Sequence, residues 1–181
     1  KMSLGNKGVL QFIKNDAVCV EVGVWKGDLS RHIAQLPISE LYLIDPWQTI
    51  NDVEGRLHNT EQKNLDDIYN TVKRRFFFNK KVKLIRKFSA DAMTDIKDGS
   101  VDWIYIDGNH SYEFVKEDLN GWWPKLKSGG YLCGDDYIEG KYQVEELQFG
   151  IVQAVDEFRQ ERESEINHSE LIKDQFVFQK K

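Results

Sequence analysis

Val18-Cys19-Val20-Glu21-Val22-Gly23-Val24-Trp25-Lys26-Gly27 is the stretch whose reading decides the fold. Residues 18–22 are short and almost wholly apolar, the pattern of a strand buried on both faces. Gly23 then permits a tight turn and lets a ligand approach the backbone. Gly27 lets the next segment, helical over residues 29–36, start close to the sheet. Strand, glycine loop and helix in that order open a doubly wound α/β sheet. The glycine spacing is G-x-x-x-G. It is neither the G-x-G-x-x-G of dinucleotide binders nor the G-x-x-x-x-G-K-[ST] of phosphate loops. The loop therefore favours a cofactor that carries no phosphates.

Working outward, short apolar runs alternate with helical patterns. Strands are expected over residues 41–44, 82–85, 101–106 and 131–134, and helices over 65–78, 90–96, 112–126 and 149–162. Ser128-Gly129-Gly130 breaks the helix that precedes the fifth strand. Residues 165–181 read as two final strands. The expected architecture is one Rossmann-like domain over residues 1–181, with Met2 as the expected native start. On such sheets ligands bind beyond the carboxyl ends of the strands. Those ends carry Glu21, Asp45, Asp107 and Asp135-Asp136. Acids gathered there need partners, because each is costly at a core edge without one.

Composition bounds the function classes. The chain has 181 residues, 40% hydrophobic and 12% aromatic, with a formal net charge of −5. That is a globular composition for one core. The acidic balance argues against a general nucleic-acid coat. No apolar run approaches the roughly 20 residues that span a bilayer, and no signal-peptide pattern is present. A cytoplasmic chain with no membrane partner is expected; a homo-oligomer stays open. Cys19 and Cys133 fall on strands separated by a third, about 9–10 Å apart, beyond disulfide reach; both are expected as buried free thiols. Residues 73–87 run the other way, with eight Lys or Arg and no Asp or Glu. They read as a solvated helix end and a lysine-guarded edge strand, or as a patch for a polyanion.

S-adenosylmethionine (SAM) is a cofactor without phosphates, with a sulfonium cation and an amino-acid end. Glu21 supplies negative charge where its ammonium could be held. Asp45 ends the second strand, where a carboxylate can take both ribose hydroxyls. The alternative is a plain αβ turn whose glycines serve packing. Five segments carry a family resemblance: V-C-V-E-V-G-V-W-K-G (18–27), L-I-D-P-W (43–47), V-D-W-I-Y-I-D-G-N-H-S-Y (101–112), L-K-S-G-G-Y-L-C-G-D-D-Y (126–137) and G-I-V-Q-A-V-D-E-F (150–158). The chain resembles a class I SAM-dependent methyltransferase of the compact group called methyltransferase family 24. The resemblance implies a seven-stranded, mostly parallel sheet with an antiparallel last strand. It places Glu21, Gly23 and Gly27 at the cofactor loop, Asp45 on the ribose, and Ser89 with Asp91 beside the adenine. Trp47 is either a wall of the nucleoside pocket or a partly buried loop aromatic.

Methyl transfer to a hydroxyl needs in-line alignment and removal of a proton by a general base or a divalent metal. Asp107, Asp135 and Asp136 offer hard oxygen ligands for Mg²⁺, with Asp107 also near the cofactor. The arrangement is similar to metal-dependent catechol and sugar O-methyltransferases. His110, three residues past Asp107, suits the base. The bland readings are loop hydrogen bonds for Asp107, capping for Asp135-Asp136, and loop orientation for His110. Tyr112 and Tyr137 flank the site and read as pocket lining or as packing; Trp122 and Trp123 read as packing. Residues 48–62 and 138–148 are polar loops that could cover a substrate. No N/D-P-P-Y/F/W segment follows strand four and no Pro-Cys is present, which counts against DNA methylation. The expected acceptor is a small hydroxylated molecule, a sugar or a phenol. Metal-independent transfer with His110 alone, RNA methylation, a non-catalytic SAM-fold module and a hydroxylase sharing this sheet stay as alternatives.

Overall fold

The computed structural model describes residues 8–49, 61–138 and 150–181. Seven strands, β1 (Val18–Val22), β2 (Glu40–Ile44), β3 (Val82–Ile85), β4 (Val101–Ile106), β5 (Leu126–Gly134), β6 (Ile166–Ile172) and β7 (Gln175–Lys180), form one sheet in the order β3-β2-β1-β4-β5-β7-β6. Strands β1 to β5 pair in parallel, while β7 runs antiparallel to both β5 and β6. The helices are α1 (Asp28–Ile33), α2 (Gln62–Phe76), α3 (Ser89–Ala92), α4 (Tyr112–Trp122) and α5 (Ile151–Glu161). The doubly wound sheet and its antiparallel last strand match the expectation.

Side-chain alternation divides the core into two layers. Val20, Val22, Ile104, Ile106 and Leu132 face Leu119, Trp122, Val155 and Phe158 of α4 and α5. Cys19, Leu41, Leu43, Trp103, Tyr105 and Cys133 face Ile33, Leu65, Val72 and Phe76 of α1 and α2. Burying each large apolar side chain contributes about 1.5–3 kcal/mol. Trp122 and Trp123 are packing residues, as read. Cys19 and Cys133 are buried free thiols; burial pushes the Cys19 pKa up to about 12 and moves Cys133 the same way.

Several boundaries differ from the sequence reading, most of all around β5 and α2. The helix before β5 ends at Trp122, and a 3₁₀ turn spans Trp123–Lys125. Pro124 is the cause, since it lacks the N–H that would continue the helical hydrogen bonds. Strand β5 then begins at Leu126 and runs through the glycine pair, with Gly129 at φ 76 and a register shift against β4. Helix α2 starts three residues earlier than read and ends at Phe76. Phe76 is buried beneath it, whereas Phe77 and Phe78 are exposed.

Candidate active site

A cleft of about 490 Å³ opens at the carboxyl ends of β1, β2 and β4. That size suits a small-molecule or cofactor site. Gly23, Asp45, Trp47, Ser89, Asp107 and His110, all named as candidates from the sequence, line it.

The glycine loop is shaped by its own backbone. Gly23 has φ 87, and a Cβ there would fall 1.8 Å from the Asp107 carbonyl oxygen. Only glycine lets the β1 loop pass the end of β4. Glu21 lies behind this loop, 2% exposed, and does not line the cleft. Its Oε2 has no hydrogen-bond partner among the described residues. Burial pushes its pKa up to about 8, the Ser30 hydroxyl beside it offsetting part of this and Asp107 and Asp45 adding to it. One oxygen of this buried carboxyl thus stays without a partner among the described residues beside the glycine loop, where desolvation disfavours its charged form. Gly27 sits outside the cleft: with φ 72 it precedes α1, beneath the Arg75 guanidinium that bonds the Lys26 and Gly27 carbonyls. Its role is to seat α1, as packing rather than cofactor contact.

Asp45 is held from two sides. The Trp25 amide donates to Oδ2 at 2.8 Å and the Trp47 amide to Oδ1 at 2.7 Å. Both tryptophans sit in the left-handed region, at φ 49 and φ 40, a costly setting for bulky residues. The strained backbone fixes this carboxylate at the cleft wall. Trp47 resolves toward a structural part. It is 1% exposed, its indole N–H donates to the Trp25 carbonyl at 2.9 Å, and its ring packs on Tyr69. It is a cleft wall that ties the first two loops together, more buried than a loop aromatic should be.

At the far end, Asp91 corrects the expectation. It is exposed and absent from the cleft lining, because α3 turns it outward to solvent. The acid that does line the cleft is Asp118 of α4, 5% exposed, with its pKa pushed up to about 7 mainly by burial. Ser89 hydrogen-bonds Asp118 and accepts the Trp122 indole N–H at 2.8 Å. Asp118 shares the buried face of α4 with Val115, Leu119 and Trp122. A carboxylate on that apolar face was the sequence signal that could have found it. Trp25, Phe88 and Phe114, each partly exposed, form the aromatic rim.

The acids beyond β4 and β5 regroup. His110 Nε2 lies 3.5 Å from Asp107 Oδ1, and Nδ1 lies 3.4 Å from Asp136 Oδ2. Their potential ligand atoms all lie within 4.8 Å of one another. Burial works against a charged imidazole, yet the Asp107 hydrogen bond and the surrounding carboxylates move the His110 pKa up on balance. Burial moves Asp107 up as well, against the pull of His110. Asp135 stands outside this trio. The Tyr105 hydroxyl hydrogen-bonds it and accepts the Gln175 side-chain amide at 2.5 Å. Tyr112 and Tyr137 are occupied elsewhere, on Glu157 and Asp156. The loops read as substrate covers fall largely on residues 50–60 and 139–149, outside the described residues.

Comparison with known proteins decides the family. Residues 20–137, well over half the chain, match the family described as methyltransferase domain. The chain belongs to the methyltransferase-domain family. It is 29% identical over 136 residues to uncharacterized protein R132 of Acanthamoeba polyphaga mimivirus, covering 72% of this chain and 56% of that protein. It is 31% identical over 115 residues to uncharacterized protein y4gI of Sinorhizobium fredii, covering 64% of this chain and 11% of that protein. The chain thus spans only part of either relative. The structure of the O-methyltransferase NovP superposes with a TM-score of 0.68 at 19% identity, over 97% of this chain and 78% of that one. That likeness establishes the fold. The methyltransferase domain, with its cleft at the carboxyl strand ends, makes SAM the cofactor to test against these residues. Among the described residues, no helix is long and apolar enough to cross a membrane.

Proposed function

We propose that this domain transfers a methyl group from SAM to a hydroxyl of a small acceptor such as a sugar or phenol. The observation that carries the reading is the trio Asp107, His110 and Asp136 at the rim of a cleft whose walls fit a nucleoside. Gly23 gives a ligand close access to the β1 loop, and Glu21 behind it supplies a charge that a cation would stabilise. Asp45, clamped by two amides, accepts from ribose hydroxyls. Ser89 and Asp118 offer hydrogen bonds at the end where a nucleobase edge would lie.

SAM bound there supplies an electrophilic methyl on a sulfonium. The chain's share is positioning and proton removal. His110 is oriented by Asp107 through one ring nitrogen and by Asp136 through the other. In its neutral form it can take the acceptor proton. Asp107 and Asp136, with Asp135 steadied by Tyr105, are also the oxygen donors that would hold Mg²⁺, whose chemistry there is to lower the acceptor hydroxyl pKa. A hard cation favours these oxygens over imidazole, so His110 is left to the proton. The contacts of His110 to both acids also favour a second reading, in which it works without metal.

The test is turnover of a panel of phenols and sugars with SAM, with and without chelator. The proposal expects O-methylated product, lost on chelation and in Asp136→Ala. Activity that survives chelation but falls in His110→Ala selects the metal-free mechanism. Methylation of nitrogen or of RNA alone would refute the hydroxyl acceptor.

A further inference from the structure

At the opposite end of the sheet from the cleft, α2 ends in two phenylalanines that no part of the core uses. Phe77 is 71% exposed and Phe78 91% exposed, with ring centroids 4.9 Å apart at 87°. Water around two such rings is costly, and adjacent exposed aromatics of this size mark contact surfaces. Their setting is cationic. Of the basic residues in 73–87, Arg75, Lys83, Arg86 and Lys87 are taken up by Asp28, Glu40, Asp66 and Asp95. Lys73, Arg74, Lys80 and Lys81 are exposed and, among the described residues, have no acidic partner within ion-pair distance. These four flank the phenylalanines in sequence on both sides.

We propose that this helix end is a docking surface for an anionic lipid bilayer. Phe77 and Phe78 would enter the interfacial region, and Lys73, Arg74, Lys80 and Lys81 would meet the headgroups. The chain carries a net charge of −5, so an anionic surface repels most of it and accepts this end. No bilayer span is involved; the contact is peripheral.

Two features favour lipid over nucleic acid. The rings lie edge to face against each other, so they offer no parallel platform for successive bases. The patch also precedes β3, whereas Phe88 and Ser89 of the cleft follow it. Strand β3, roughly 10–13 Å long, therefore separates a polymer held here from the methyl-transfer site. A bilayer at this end instead leaves the cleft mouth facing water, open to a soluble acceptor.

The test is co-sedimentation of the full chain with vesicles of phosphatidylcholine alone and of phosphatidylcholine with phosphatidylserine. The expected result is binding to the anionic vesicles only, weakened by salt. Removing one cation should cost about five-fold, so Lys80→Ala with Lys81→Ala should lose on the order of twenty-fold. Phe77→Ser with Phe78→Ser should abolish binding while leaving SAM affinity and Tm unchanged, since neither ring is in the core. The proposal is overturned if the chain ignores anionic vesicles, binds neutral ones equally, or binds undiminished after the phenylalanine changes. It is also overturned if a single-stranded RNA oligomer, and no vesicle, is the ligand lost in these variants.

Discussion

The Tyr105 hydroxyl sits under Asp135 as a buried support, hydrogen-bonded to its carboxylate while accepting the Gln175 amide at 2.5 Å. Gln175 is 1% exposed and its Oε1 has no partner among the described residues, so this arrangement already carries one unmet polar group. Tyr105→Phe would strand the Gln175 amide too. The expected loss is about 1–3 kcal/mol, read by calorimetry as a Tm lower by roughly 2–12 °C. Asp135 would lose its orientation, so turnover should fall while SAM affinity holds. Equal losses in both would place Tyr105 in general packing.

Glu21 makes the ligand-free chain sensitive to pH. Its folded pKa, about 8, lies above the ordinary 4.5, so the fold holds its proton more tightly than the unfolded chain does. Stability from this group is complete below pH 4.5 and is lost as pH rises through about 8. Asp118, raised to about 7, acts in the same direction. Tm of the ligand-free chain should therefore decline from pH 6 to 9 on the order of several degrees. Glu21→Gln should flatten part of that decline. A bound cation favours ionised Glu21, so SAM affinity of the native chain should rise with pH over the same window. A pH-independent affinity would remove Glu21 from cofactor binding.

Much of the fold was legible because strand burial and helix periodicity are local patterns. The alternation of Val20 and Val22 with Cys19, or of Ile104 and Ile106 with Trp103 and Tyr105, needs no partner to be read. The strand-end acids were legible for the same reason: topology puts them in one place. What failed to show was direction and company. Asp91 and Asp118 are both acids near the expected adenine end, and only packing decides which enters the cleft. Trp25 and Trp47 adopt positive φ that nothing in their residue types announces. Asp135 and Asp136 are chain neighbours, yet Asp136 at φ 57 turns toward His110 while Asp135 is held by a tyrosine. Pro124, by contrast, stood in plain view as a helix stop, yet the sequence reading carried the helix past it to residue 126.

Gly23→Ala tests the shape of the loop. Its Cβ would collide with the Asp107 carbonyl oxygen at 1.8 Å, on a backbone at φ 87. Backbone strain and clash together should exceed about 3 kcal/mol, or roughly 6–12 °C in Tm. SAM binding should fail even where the variant folds. Thermal melts with and without SAM read both effects. Gly129→Ala, also at positive φ but with open space around its Cβ, should be the milder change and keep SAM binding.

The central claim is that the cleft between Gly23, Asp45 and Ser89 binds SAM. Isothermal titration calorimetry of SAM into the full chain measures it directly, with Asp45→Ala beside it. The account predicts one site of micromolar affinity, weakened at least tenfold in Asp45→Ala with Tm little changed. No heat of binding in the native chain, or equal affinity in Asp45→Ala, would contradict it.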